Sequence, residues 1–261
     1  MIRAVRFTTR LNFNLEPDTL KAIQSMAKDI TLVSQERITD EMEKISTGPS
    51  PDKALQLLRE TGLLRFILPH FVNYQTNAIN TIQTIFNQLE GCDFDSALAI
   101  LLAHEGNTSP LNEFDFPSDE NPKTHERRLK TTKLFNLSNQ VIKDVSQIWA
   151  ILTLFKNYRQ LRKALQMRIL LNPLFAKSLT LQRLWEINRH IPNPITKILE
   201  RDYIELPVQQ IPESLLNGTE LLALGCQLGH NISILKTELE NLQLEGQIKD
   251  QVAAIEFIKK H

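Results

Sequence analysis

The chain has 261 residues, 42% hydrophobic and 23% charged, with thirty Lys/Arg balanced by thirty Asp/Glu. That balance excludes a uniformly basic nucleic-acid coat, and two cysteines, Cys92 and Cys226, exclude a disulfide scaffold and suit a reducing, cytoplasmic setting. Only 8 glycines and no apolar run of membrane length make a glycine-loop nucleotide enzyme or a membrane protein poor fits.

Taken in chain order, the pattern is helical. Pro17 suits the first turn of a helix, where its missing N–H would be unpaired anyway, and Leu20, Ile23, Ala27 and Ile30 then recur on one stripe. Ser34 is placed to cap the next helix, with Ile38, Met42 and Ile45 on its apolar side and Gly48-Pro49 at its end. Ser50-Pro51 opens another, with Ala54, Leu57 and Leu58 inward and Gly62 closing it. Residues 78–89 and 95–104 read as two more, the second apolar all round from Ala97 to Ala103.

An acidic loop, 104–122, follows and reads as a hinge. Beyond it, Ser138 caps a long helix striped by Val141, Val145, Ile148, Trp149 and Leu152. Leu161–Leu171 and Leu179–Ile191 make two more helices, 203–216 a linker, and 221–246 a closing helical hairpin with turns at Gly225 and Gly246. The expected fold class is all-α.

Charge is segregated along this array. Residues 71–122 hold no Lys or Arg and eight Asp/Glu, whereas 123–201 hold sixteen basic residues and four acidic ones. A basic block of that kind fits either a polyanion-binding face or a solvated face paired with the acidic stretches around it. Catalytic chemistry is thinly represented. Neither cysteine has neighbours that would activate a thiolate. The pairs His104-Glu105 and His125-Glu126 fall short of the several clustered donors a hard metal wants, and no Asp-x-Asp pair is present. Arg3 and Arg6, three apart with Arg10 beyond, share one side of a helix and could grip a triphosphate or an RNA backbone.

The stretch Met1-Ile2-Arg3-Ala4-Val5-Arg6-Phe7-Thr8-Thr9-Arg10-Leu11-Asn12-Phe13 resembles the neck helix of class II (bacterial-type) tRNA nucleotidyltransferases and poly(A) polymerases. Ser34-Gln35-Glu36-Arg37-Ile38 with Glu41, then Gly48-Pro49-Ser50-Pro51, Ala54 to Leu64 and Leu68-Pro69, follow in that family's order. The likeness returns at Gly218–Gly225 and Leu244–Ile248.

The resemblance implies an elongated array of neck (1–70), body (71–201, with the acidic loop 104–122 and the basic block 123–201) and tail (202–261). It implies that Arg3 and Arg6 contact an incoming nucleotide, while Arg37 and Glu41 brace the neck. It also implies tRNA or another structured RNA as partner, and the basic block, with Arg159, Arg162 and Lys163, is the place to look for that contact. The family's Mg²⁺-binding head is not in this sequence. No cofactor is therefore expected in this chain, Mg²⁺ and ATP or CTP being expected only with the head, and the isolated chain is expected to be catalytically silent. The function the resemblance implies is the RNA-binding helical portion of a tRNA nucleotidyltransferase, which adds CCA, CC or A to tRNA 3′ ends from CTP and ATP, with a separate catalytic head polypeptide as a possible partner; a headless RNA- or partner-binding paralogue and the C-terminal part of a poly(A) polymerase are the alternatives.

Overall fold

The structure is a computed structural model that describes residues 1–69, 76–89, 92–102, 135–208, 210–225 and 230–260. Among them are fourteen α-helices and no strand. The acidic loop, the first part of the basic block, both His-Glu pairs and Cys226 lie outside the described residues. The chain forms two compact units, one of residues 1–156 and 176–196, the other of 157–175 and 197–261.

The first unit begins with α1 (Ile2–Arg10), α2 (Pro17–Met26), a 3₁₀ turn (Ala27–Leu32), α3 (Gln35–Ser46), α4 (Pro51–Glu60) and the single turn α5 (Leu64–Ile67). As the spacing predicts, Ile23, Ala27, Ile30, Ile38, Met42, Ile45, Ala54 and Leu58 are buried. Two of the predicted caps differ. Ser34 and Ser50 occupy cap positions, but neither hydroxyl makes a capping bond. α2, for which no cap was expected, is capped by Glu16, its carboxylate accepting from the N–H groups of Asp18 at 3.0 Å and Thr19 at 2.8 Å. Leu55, rather than Leu57, takes the inward position on α4, while Leu57 is half-buried. Gly62 ends that helix at φ +72°, where a side chain would be strained.

Helices α6 (Thr76–Gln88) and α7 (Phe94–Leu101) follow, then α8 (Asn139–Phe155), whose first turn is capped by Ser138 accepting from Val141 N–H. α6 packs on α4, and α7 on α8. Ala97 through Leu102 are all buried, as an apolar helix with no polar face must be. Trp149 is 1% exposed, and its indole N–H donates to the Ala99 carbonyl at 3.0 Å, so the polar atom that burial would orphan is satisfied.

α9 (Lys163–Leu170) belongs to the second unit; α10 (Phe175–Asn188) and α11 (Ile195–Ile204) each span a division between the units. Sequence reading passes over α11, whose start is held by a buried carboxylate: Glu186 accepts from Ile195 N–H at 2.9 Å and from the Thr196 hydroxyl at 2.5 Å. The C-terminal helices are α12 (Gly218–Ala223), α13 (His230–Leu244) and α14 (Gln251–Lys260). They are thus more than the expected hairpin, because a third helix follows Gly246. Leu216, Leu221, Leu239, Ile248, Ala254 and Ile258 make their core. Each fully buried leucine among them contributes about 1.5–3 kcal/mol from water exclusion. α13 also packs on α9, where Ala164 and Met167 meet Leu244.

Candidate nucleotide and RNA contacts

Arg3 and Arg6 are one turn apart on α1, and the fold places both against the same carboxylate. Glu41 of α3 accepts from Arg6 Nε at 2.7 Å, while its other oxygen is 3.8 Å from Arg3 Nε. The two arginines are not equivalent. The Arg6 side chain is only 9% exposed, with its guanidinium 4.2 Å from the centre of the Phe7 ring. Arg3 is 69% exposed and open to solvent. Arg6 is therefore built into the helix pair α1–α3, and Arg3 is the cation an outside anion can reach. A cavity of about 300 Å³ adjoins Arg3, Arg37, Asp40 and Glu41. The pattern of arginines was readable in the sequence, and the resemblance named Glu41 as a brace of the neck; that this acid, 35 residues away, pairs with Arg6 was not readable.

In the second unit, Arg159 lies in the 3₁₀ turn Tyr158–Gln160, Arg162 at the cap of α9 and Lys163 at its first position; all three are exposed. Their surroundings divide them. The Arg162 fork donates to both oxygens of Glu238, at 2.6 and 2.8 Å, and to both oxygens of Glu245, at 2.7 and 3.1 Å. These bonds hold the Arg162 guanidinium in its charged form and hold both carboxyls below the usual carboxylate range. Glu245 also accepts from Ala164 N–H at 3.2 Å, so it caps α9. The turn itself is pinned by Gln166, which donates to the Tyr158 carbonyl at 2.8 Å, and by burial of Tyr158, whose hydroxyl is pushed above its ordinary range by that burial and by Asp202. Arg159 consequently projects from a fixed turn and Lys163 from the first position of α9, whereas Arg162 is committed to two acids.

Cys92 and Lys177 are structural. Cys92 is buried, and burial, with the Asp93 charge, pushes its thiol up to about 12, the opposite of nucleophilic activation. Lys177 bridges Asp93 at 3.0 Å and Asp95 at 3.1 Å. Among the described residues no three His, Cys, Asp or Glu side chains gather where they could hold a metal ion. No described helix is long and apolar enough to cross a membrane.

Comparison with known proteins adds a second line. A family model described as "Probable RNA and SrmB- binding site of polymerase A" matches residues 12–74. The CCA-adding enzyme of Lactobacillus johnsonii is 28% identical over 265 residues, which is 99% of this chain and 58% of that enzyme. The CCA-adding enzyme of Geobacillus stearothermophilus is 49% identical over 67 residues, covering 26% of this chain and 17% of that enzyme. Among solved structures, the Bacillus stearothermophilus CCA-adding enzyme in complex with CTP matches 100% of this chain and 60% of its own, with TM-score 0.66 and 22% identity. The Thermotoga maritima CCA-adding enzyme complexed with tRNA matches 98% and 59%, with TM-score 0.54 and 15% identity. The chain thus shares their helical fold and spans somewhat more than half the length of the relatives that it matches end to end.

Proposed function

We propose that this chain is the helical, non-head part of a CCA-adding enzyme or poly(A) polymerase, and that it serves as the RNA-holding region of tRNA 3′-end nucleotide addition. The observation that carries the reading is the likeness to CCA-adding enzymes along 99% of the chain. Within it, Arg159 and Lys163 are the phosphate contacts, because they are exposed cations on a turn and a helix start whose backbone is already fixed. Pre-fixing matters: with the backbone already ordered, only the side chains themselves lose freedom on meeting a phosphate. Arg162 belongs to the same patch as its organiser, since displacing it onto RNA would leave two carboxylates unpaired.

Arg3 and Arg6 form the nucleotide side of the reading. Arg3 reaches the polyphosphate, and Arg6 keeps the helix face in register through Glu41. The RNA contact is tested by filter binding of a tRNA transcript to the chain and to a variant carrying R159E and K163E. The expected result is weaker binding and a shallower dependence on salt, with the log–log slope falling by about 0.9 for each phosphate that the variant no longer neutralises. Equal affinity and slope for the variant would remove this turn from the RNA face, and a chain that binds no tRNA at low salt would overturn the function itself.

A further inference from the structure

Where α1 ends, the chain turns across α4 and leaves a groove of about 400 Å³, with Thr8, Asn12, Phe13, Leu20, Lys53 and Gln56 on its walls. The turn is specific. Asn12 adopts φ +52°, a left-handed conformation that asparagine tolerates better than most residues because its short side chain bonds locally. Here that side chain accepts from Lys53 Nζ at 3.2 Å. The next residue is anchored too, as Phe13 N–H donates to the Thr8 carbonyl at 2.9 Å. Phe13 is nevertheless 66% exposed, more than Phe7 at 42%, whereas Phe86, Phe94, Phe135, Phe155 and Phe175 are all buried.

A single exposed aromatic needs no explanation by itself. This one stands beside an exposed lysine and a row of hydroxyl and amide groups, on the rim of a cavity large enough for a small ligand. The acid on the wall, Glu60, is tied by Gln56 Nε2 at 2.8 Å. A flat π-face next to a cation and neutral hydrogen-bonding groups matches the chemistry of an unpaired nucleotide, since any base offers a face for stacking and each nucleotide brings one phosphate.

We propose that this groove binds one unpaired nucleotide of a single-stranded RNA segment, its base stacked on Phe13 and its phosphate held by Lys53. The proposal rests on the RNA-binding reading above and adds a site to it. Asn12 sets the height of the ring through its backbone and the reach of Lys53 through its side chain. Thr8 and Gln56 offer groups to the ribose and to the base edge without demanding one base over another.

Fluorescence anisotropy with a short labelled single strand of mixed cytidylate and adenylate tests it on the full chain. F13A should weaken binding about five- to a hundredfold, F13L should behave like F13A, and F13Y should keep the wild-type affinity because its ring stacks as well. K53A should weaken binding and lower the salt slope by about 0.7, the value for one phosphate of a single strand. Thermal melting of F13A should match wild type, since the ring is exposed. Photo-crosslinking with a 4-thiouridine strand should map to the peptide around Phe13. Unchanged affinity in F13A, wild-type affinity in F13L or crosslinks confined to other segments would each overturn the site. The first of these is also the result expected if the groove seats a protein. Binding of tRNA without any binding of single strands would overturn this site alone. Binding of neither would overturn the RNA-binding function with it.

Discussion

Arg162 and Glu245 face each other as two parallel hydrogen bonds, Nε to Oε1 at 2.7 Å and Nη2 to Oε2 at 3.1 Å, joining the start of α9 to the residue after α13. The planar fork matches a carboxylate in a way that a lysine in its place would not. Through this pair an exposed basic residue becomes part of the framework of the second unit.

The sign of its pH dependence follows. Hydrogen bonds from Arg162 hold the Glu245 and Glu238 carboxyls below their ordinary 4.5. The stabilisation is therefore complete above that value and lost as pH falls through the lowered values of the folded protein. Wild type should lose more of its thermal stability between pH 5 and 3 than R162A does, and the difference should shrink in high salt, because the pair is partly exposed. Melting curves across that range check it. A constant gap between the two proteins would mean that the carboxylates gain nothing from the arginine.

Glu41 makes the opposite case, a pair with Arg6 that is mostly buried. Removing the acid in E41Q leaves the Arg6 charge buried and half-satisfied, at a cost of about 3 kcal/mol. Replacing both, as E41Q with R6M, should cost less than the sum of the two single changes, because the second change removes the charge that the first one stranded. Urea unfolding of the four proteins measures this coupling, and strict additivity would show that the 2.7 Å hydrogen bond between Arg6 and Glu41 carries no interaction energy.

Cys92 should be inert in the folded state. With its thiol raised to about 12, almost no thiolate exists near neutral pH, and burial also bars the reagent. In a C226S background, reaction with an aromatic disulfide at pH 8 should be slow in buffer and immediate in denaturant. Fast labelling of the native chain would mean that α7 opens readily at its start.

Much of the fold was legible in the residues alone. Helical spacing named Ile23, Met42, Leu58, Ile148 and Trp149 as interior positions, and all five are buried. Periodicity works there because one helix face must leave water whatever it packs against. The glycine stops at 62, 225 and 246 were equally local, since each adopts a positive φ that follows from the turn itself. α11 and α14 were missed. Glu186 caps the first from across a turn, and a short helix of mixed polarity such as Gln251–Lys260 owes its stability to the core of Leu221, Leu239 and Ile248.

The candidate sites divide in the same way. Sequence alone determined which residues carry charge, that arginines recur on one side of α1, and that the order of motifs matches a known family. Tertiary structure decided what each charge is free to do. Arg3 is exposed while Arg6 is buried on Glu41, and Arg159 is exposed while Arg162 is spent on Glu238 and Glu245. The reason is physical: a guanidinium is the same group at every position, and its availability to a ligand depends on carboxylates brought to 2.7 Å by residues 35 and 83 positions away.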